Sequence, residues 1–141
     1  MGIKGSVTIN IDDEGTAILV PPLGVLDRNI QTMQWSLVAP GEFKFAPDPI
    51  VFQTKGLPPG YRPWTPPGQP PVRENDWQVR AQANLKVEKG DPPVKYRYDI
   101  YVDVSTTGED GSVNFERRKI SVLHPETLEK IDPDMENQPQ P

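Results

Sequence analysis

Apolar and polar residues alternate one by one along most of this chain, and this period of two constrains the fold more than any other feature. The longest example runs from Trp77 to Glu88, where every second residue is apolar. Side chains of a β-strand point alternately to its two faces, so this segment is predicted to be a strand with one buried face. No stretch of about twelve residues shows the 3.6-residue period of an amphipathic helix. The pattern therefore predicts an all-β protein.

Several further segments share this alternation. The segment from Val94 to Val104 follows turn residues, and it is predicted to pair with the strand from Trp77 to Glu88 as an antiparallel hairpin. A shorter hairpin is predicted at the N-terminus, with strands at 5–11 and 16–20. Trp35 falls on the apolar face of a strand predicted for 30–39, which places it at the expected centre of the core.

The number of alternating segments sets the predicted architecture. Seven or eight strands separated by turn residues favour an antiparallel β-sandwich, immunoglobulin-like in the broad sense. A closed β-barrel is the alternative, because strands of period two serve both architectures. The apolar positions change from odd to even between Phe115 and Ile120. A β-bulge at Arg117 or Arg118 is predicted to cause that change.

A proline-rich segment interrupts the strands. Residues 56–71 read GLPPGYRPWTPPGQPP, with seven prolines in sixteen positions. Proline cannot donate a backbone hydrogen bond, so a loop is predicted for residues 55–76. Predicted strands flank it on both sides, which places the loop inside a single domain covering residues 1–131. Residues 132–141 are predicted to be a flexible acidic tail.

Charge is distributed unevenly along the chain. The net charge is -5, and residues 126–141 contribute most of it, with five acidic residues against one lysine. The rest is nearly neutral and has no basic stripe, so neither nucleic acid nor a membrane surface is an expected partner. The basic run from Arg117 to Lys119 is interpreted as charge on an edge strand, which discourages edge-to-edge pairing.

Residue types that carry catalysis are scarce. There is no cysteine, and His124 is the single histidine. A strand-end residue that caps a turn is the favoured interpretation of His124 over a general base. No nucleophile motif or phosphate-binding loop is recognisable, so we expect a protein that is not an enzyme and has no cofactor or metal site. No apolar stretch approaches the length of a signal peptide or membrane span, which favours a cytoplasmic location.

The proline-rich loop supplies the candidate binding residues. They are aromatic or cationic side chains within or just after the loop: Tyr61, Arg62, Trp64, Arg73 and Trp77. Aromatic rings among prolines offer large stacking surfaces at low entropic cost, which suits recognition of a protein, including a second copy of the chain in a homo-oligomer. The competing interpretation is that the loop only covers a sheet edge.

Two functional hypotheses of different classes follow from the loop. The first is a non-enzymatic interaction or structural module, with self-association through the loop as its main form. The second is a carbohydrate-binding or carbohydrate-processing β-sandwich, in which Tyr61, Trp64 and Trp77 would form a stacking platform.

A set of short motifs resembles a known family. The motifs are W-S-L at 35–37, F-x-F-x-P-D at 43–48, I-x-F at 50–52, Y-x-Y-x-I-x-V at 96–102 and D-P-D-M-E-N at 132–137. Together they resemble the DP-EP family of small bacterial proteins. The resemblance implies an immunoglobulin-like sandwich of uncharacterised function, with no catalytic residues to assign. The proline-rich insertion would be a departure from that pattern.

Overall fold

A computed structural model describes residues 4–26, 32–53, 69–82 and 94–137 of the chain. These residues form β-strands joined by turns, and no helix occurs among them. Twelve strands are present: β1 (Lys4–Ile11), β2 (Ala17–Val20), β3 (Leu23–Leu26), β4 (Thr32–Val38), β5 (Phe43–Phe52), β6 (Gln69–Asn75), β7 (Gln78–Gln82), β8 (Val94–Thr107), β9 (Val113–Ile120), β10 (Val122–Leu123), β11 (Lys130–Ile131) and β12 (Asp134–Asn137).

The strands form two sheets that pack against each other. The first has the order β11–β10–β2–β1–β4–β7–β6, and the second has the order β3–β12–β8–β5, with β9 also paired to β8. Within the described ranges neither sheet closes into a barrel, so the predicted sandwich is confirmed over the barrel alternative. The strand count exceeds seven or eight because several strands have only two to four residues, too few for a recognisable alternation.

The first sheet begins with the predicted N-terminal hairpin. Strands β1 and β2 are antiparallel, with Ile9 opposite Leu19. The Asp12 side chain accepts hydrogen bonds from the amides of Glu14 and Thr16, both at 2.9 Å, which fixes the turn between them. Three pairings are parallel rather than antiparallel, namely β1 with β4, β2 with β10, and β3 with β12.

Strand β8 is the axis of the second sheet. One of its edges pairs with β5, and the other is divided between two strands. Strand β9 pairs with residues 100–107, and β12 pairs with residues 94–97. The register of β5 against β8 shifts between Phe45 and Ile50, where Pro47 and Pro49 interrupt the ladder. A strand of fourteen residues thus supports three partners.

The predicted pairing of the two longest alternating segments is wrong. Strand β7 pairs with β4 and β6 in the first sheet, whereas β8 belongs to the second sheet. Alternation fixes which face of each strand is buried, but it does not specify the neighbouring strand. The rest of the first predicted strand, residues 83–88, lies outside the described residues.

The predicted bulge at Arg117 or Arg118 is also wrong. Strand β9 pairs with β8 in an unbroken register from Val113 to Ile120. The apolar positions change parity because Phe115 lies opposite Ser105 on the outer face, whereas Ile120 lies opposite Ile100 on the core face. The parity change therefore marks an exposed apolar side chain and not a bulge.

The predicted flexible tail is wrong for the part that is described. Residues Asp134–Asn137 form β12, which lies between β3 and β8, and Met135 is fully buried. Lys95 contacts Asp134 at 3.5 Å, and Arg97 contacts Asp132 at 3.2 Å. The acidic side chains of this segment therefore face bases of β8, and its methionine enters the core. Residues 138–141 lie outside the described residues.

The predicted loop over residues 55–76 is wrong at its C-terminal end, where Gln69–Asn75 form β6. Strand β6 begins with a glutamine and two prolines, and it is the last strand of the first sheet. Proline is tolerated there because an edge strand does not need every amide for the ladder. The remainder of the loop, up to residue 68, lies outside the described residues.

Three aromatic rings occupy the centre of the core. Trp35 and Tyr98 are fully buried, and their ring centroids are 5.7 Å apart in an edge-to-face arrangement. Phe52 completes the group at 6.1 Å from Trp35 and 5.6 Å from Tyr98. Trp35 comes from the first sheet and the other two from the second, so the cluster joins the layers. The predicted position of Trp35 is confirmed.

Gly24 allows β3 to pass close to the core. A Cβ atom at this position would lie 2.5 Å from the sulfur of Met135 and 3.3 Å from the terminal methyl of Met33. Both methionine side chains are buried, so a larger residue at position 24 would have to displace packed atoms. The close approach of β3 to Met33 of the first sheet therefore depends on the absence of a side chain at Gly24.

The Tyr98 hydroxyl group is buried without a hydrogen-bonding partner among the described residues. Burial raises the pKa of Tyr98, and the negative charge of Asp134 raises it further. The nearby indole N–H of Trp35 lowers the pKa, although the two groups are not in hydrogen-bonding geometry. The buried phenol therefore stays neutral at a pH where an unfolded tyrosine ionises. Above about pH 10 the folded state therefore binds more protons at Tyr98 than the unfolded state does. The contribution of Tyr98 to the free energy of unfolding is constant below about pH 10 and decreases as the pH rises further.

Replacing Tyr98 by phenylalanine tests this environment. We expect unchanged or higher stability at neutral pH, by up to about 1 kcal/mol, because an unpaired buried hydroxyl is removed. We also expect a weaker loss of stability above about pH 10, where tyrosine contributes about 1.4 kcal/mol per pH unit. Urea unfolding of both proteins at neutral and alkaline pH measures the difference. Identical pH dependence in the two proteins would contradict the assignment.

Candidate functional site

The predicted binding residues fall into two groups. Tyr61, Arg62 and Trp64 lie outside the described residues. Arg73 lies on β6, and Trp77 lies in the turn between β6 and β7. The structure thus places Arg73 and Trp77 at one end of an edge hairpin, directly after the proline-rich segment. Trp77 had been predicted to begin a strand and instead occupies the turn.

Side-chain hydrogen bonds hold the β6–β7 turn in one conformation. The Asn75 carboxamide oxygen accepts a hydrogen bond from the Trp77 amide at 2.9 Å. The Asn75 carboxamide nitrogen donates to the Gln78 side chain at 3.0 Å. Asn75 therefore bridges both sides of the turn, as asparagine commonly does.

The same turn is attached to both sheets. The Asp76 carbonyl accepts a hydrogen bond from the Phe45 amide of β5 at 2.8 Å. The Trp77 carbonyl accepts a hydrogen bond from the Leu37 amide of β4 at 2.9 Å. Arg73 donates to the Phe45 carbonyl at 3.1 Å and lies 3.8 Å from the Asp76 carboxylate. Arg73 therefore links β6 to β5 within the protein. The turn closes one side of the sandwich between β4 and β5.

Trp77 is exposed although its backbone is fixed. The residue is 52% exposed to solvent. Val38, which follows Leu37 on β4, and Val72 on β6 are exposed as well. A rigid backbone that presents a large aromatic side chain is the arrangement found at energetically dominant positions of protein interfaces. Of the two predicted residues that the structure describes, Arg73 is engaged in internal contacts and Trp77 is exposed.

The sequence interpretation missed a second exposed surface, the β8–β9 hairpin. Every residue of β9 from Val113 to Lys119 is exposed, including Val113 at 61% and Phe115 at 50%. Exposure on both faces means that this part of β9 extends past the core. The parity change between Phe115 and Ile120 was the available sequence signal, because it marks where apolar residues leave the core face.

The tip of this hairpin is fixed by its own side chains. Asp110 accepts hydrogen bonds from the Ser112 hydroxyl at 2.6 Å and the Ser112 amide at 3.0 Å. These bonds hold the pKa of the Asp110 carboxyl below its ordinary value. Gly111 has a φ of 82°, which only glycine adopts without strain. The Gly108 amide donates to the Ser112 carbonyl at 2.8 Å and closes the turn.

Cations lie over aromatic rings on the outer face of the second sheet. The Lys44 ammonium is 3.8 Å from the centroid of the Phe115 ring, and the Arg117 guanidinium is 4.1 Å from that of Tyr101. Such pairs order long side chains that would otherwise be mobile. Residues of three adjacent strands, β5, β8 and β9, therefore form one surface of mixed aromatic and charged character.

Two clefts adjoin this sheet. The larger, of about 510 Å³, lies between the β1–β2 turn and the start of β5, with Glu14 and Glu42 among its acidic residues and Arg118 among its basic residues. The smaller, of about 230 Å³, lies where the edge of β8 passes from β9 to β12. Both have charges of both signs on their walls, so neither has the uniform field that would concentrate one class of ion.

The remaining chemistry-bearing residues have structural roles. The His124 ring nitrogen Nδ1 accepts hydrogen bonds from the backbone amides of Glu126 at 3.1 Å and Thr127 at 3.4 Å. The predicted turn cap is therefore confirmed. Across the described residues, no group of three His, Cys, Asp or Glu side chains is placed to hold a metal ion. No helix in these same ranges could cross a membrane.

Comparisons with known proteins do not assign the chain to a family. No protein-family model matches the chain, and no curated protein matches it.

Proposed function

We propose that this protein is a non-enzymatic interaction module that associates with a second copy of itself through Trp77 and the proline-rich segment before it. The observation that carries the proposal is the exposure of Trp77 on a turn that is hydrogen-bonded to both sheets. Tryptophan is among the residues most enriched at interface hot spots, and a fixed backbone reduces the entropy lost on binding.

The neighbourhood of Trp77 supports this proposal. Val38 and Val72 are also exposed apolar residues, and the charged residues of the hairpin form pairs, Arg73 with Asp76 and Arg80 with Glu74. Apolar contact with few unpaired charges is the composition of an interface centre. Tyr61 and Trp64 precede β6 in the sequence, within the same proline-rich segment.

The first test replaces Trp77 by alanine. We expect the dissociation constant of the self-associated form to rise by about 30-fold, equivalent to about 2 kcal/mol, because an interface anchor is removed. The free energy of unfolding of the monomer should change by about 0.5 kcal/mol or less, since the side chain is half exposed. Sedimentation equilibrium measures the first quantity, and urea unfolding measures the second.

Leu128→Asn is the matched control. It also removes an exposed apolar side chain from a turn, and asparagine suits the positive φ of 59° at that position. Association should remain at the wild-type level in this variant. A wild-type protein that is monomeric at all concentrations would contradict the proposal, and a large loss of stability in Trp77→Ala would assign the residue to packing instead.

Carbohydrate binding is the second candidate. The observation in its favour is the Asn75–Gln78 amide pair beside the exposed Trp77 ring, because sugars bind through stacking and amide hydrogen bonds. A glycan panel monitored by tryptophan fluorescence and thermal shift separates the two candidates. Saturable binding that is lost in Trp77→Ala would favour the sugar, and the absence of any response would exclude it.

A further inference from the structure

The free edge of β9 has the backbone geometry to accept another strand. The Gly108 amide bonds to the Ser112 carbonyl, so in this antiparallel pair the even-numbered residues of β9 bond to β8. The odd-numbered residues Val113, Phe115, Arg117 and Lys119 then direct their amides and carbonyls away from β8. The Ser105 amide agrees with this alternation, because it donates to Glu42 on the opposite side of β8.

Other edges in the described ranges are short or closed. Strand β6 contains Pro70 and Pro71, β11 has two residues, and β3 has four. The edge of β5 away from β8 is occupied at Phe45 by the Asp76 carbonyl and the Arg73 side chain. Strand β9 has eight residues without proline. It is therefore the long strand edge that can extend its sheet.

The charges of β9 determine which strand it would accept. Arg117, Arg118 and Lys119 are consecutive, and the strand has one acid, Glu116. Arg118 pairs with Glu116 at 2.8 Å and Lys119 with Asp99 at 3.3 Å, but both basic side chains are more than half exposed. Exposed pairs contribute little and exchange easily for others. A second copy of β9 would bring the same positive excess, whereas an acidic strand would neutralise it.

The chain itself contains a precedent for this pairing. The acidic strand β12 lies on the same edge of β8 that β9 occupies further along. Its Asp134 contacts Lys95 at 3.5 Å and Arg97 at 3.6 Å, while its Met135 packs into the core. Backbone pairing, opposite charges and one apolar side chain therefore act together in this sheet.

We propose that the free edge of β9 captures an extended acidic segment of another protein by strand addition. Acidic side chains of the segment lie against Arg117 and Lys119, which share the outer face with Phe115, and the intervening apolar side chains lie on the other face. Its backbone pairs with the outward amides and carbonyls of the odd-numbered residues. This surface is separate from Trp77, so the inference stands independently of the function proposed above.

The test uses a fluorescein-labelled short peptide that alternates glutamate with valine, and a control peptide with lysine in place of glutamate. Fluorescence polarisation should show saturable binding of the acidic peptide that weakens as salt rises, and no binding of the lysine peptide. Arg117→Gln combined with Lys119→Gln should weaken binding by about tenfold or more. Trp77→Ala should bind like the wild type.

A matched pair of variants separates backbone pairing from side-chain contact. Both Phe115→Ala and Phe115→Pro remove the ring, but only the proline removes an outward amide, and neither disturbs the bonds to β8. We expect the proline variant to bind about tenfold more weakly than the alanine variant. If its melting temperature falls by more than about 5 °C, Val113→Ala and Val113→Pro make the same comparison.

Four results would overturn the proposal. One is the absence of binding to the acidic peptide, and another is equal binding of the acidic and lysine peptides. The third is equal affinity of the alanine and proline variants, which would show that side chains alone hold the peptide. A dimer that forms through β9 and is lost in Phe115→Pro would also contradict it, because the occupant would then be a second copy.

Discussion

Replacing Trp35 by alanine is expected to lower the free energy of unfolding by about 3–5 kcal/mol, the range typical of a fully buried tryptophan. The side chain has no exposed surface and contacts Tyr98 and Phe52 from the opposite sheet. The substitution removes apolar area and leaves a cavity between the two layers. Since small domains are stable by about 5–15 kcal/mol, this loss would be a large part of the total.

Urea unfolding followed by far-ultraviolet circular dichroism measures this effect without depending on tryptophan fluorescence. Val38→Ala is the matched control, because Val38 lies on the same strand with its side chain exposed. A change of about 0.5 kcal/mol or less is expected for the control. A loss below about 1 kcal/mol for Trp35→Ala would mean that the tryptophan is not at the junction of the sheets.

Replacing Met135 by alanine is expected to cost about 2–5 kcal/mol, as for other buried methionines. Ending the chain after Ile131 should have a larger effect, because β8 and β3 would both lose the strand between them. The exposed contacts of Lys95 and Arg97 with the acids of this segment add little to that loss. Thermal unfolding of the truncated protein should show a much lower midpoint or no cooperative transition.

The truncation distinguishes a strand from a flexible tail. Removing a flexible tail would leave the melting temperature unchanged, whereas removing β12 opens the second sheet. Glu126→Ala provides a control nearby in the sequence, since its side chain is exposed in the turn after β10. Wild-type stability of the protein that ends at Ile131 would contradict the assignment of β12 as a structural strand.

The acidic end of the chain illustrates why composition misled the sequence interpretation. Glu126, Asp132, Asp134 and Glu136 raise the local charge to a level typical of solvated tails. In the structure, Lys95 and Arg97 of β8 form salt bridges with Asp134 and Asp132. Met135 of the same segment is buried in the core. A strand with a single buried residue has no apolar pattern to detect, so its partner strand decides its structure.

The candidate sites were likewise predictable only in part from the sequence. Trp77 was identified from its residue type near the prolines, but its exposure depends on Asn75, Asp76 and their bonds to both sheets. The sequence interpretation predicts a charged edge strand with a bulge on β9, and it does not identify Val113 and Phe115 as exposed. Apolar residues on a projecting hairpin look like core residues until the extent of the sheets is known.

The amino-acid sequence was sufficient to predict the fold class, the N-terminal hairpin, the central place of Trp35 and the turn cap at His124. These features depend on alternation, turn chemistry and residue size, which act over a few neighbouring residues. The three-dimensional arrangement was needed to show which strands pair, that β7 and β8 lie in different sheets, and which edges stay open. Pairing depends on contacts between residues distant in the chain, and a period of two is compatible with many of them.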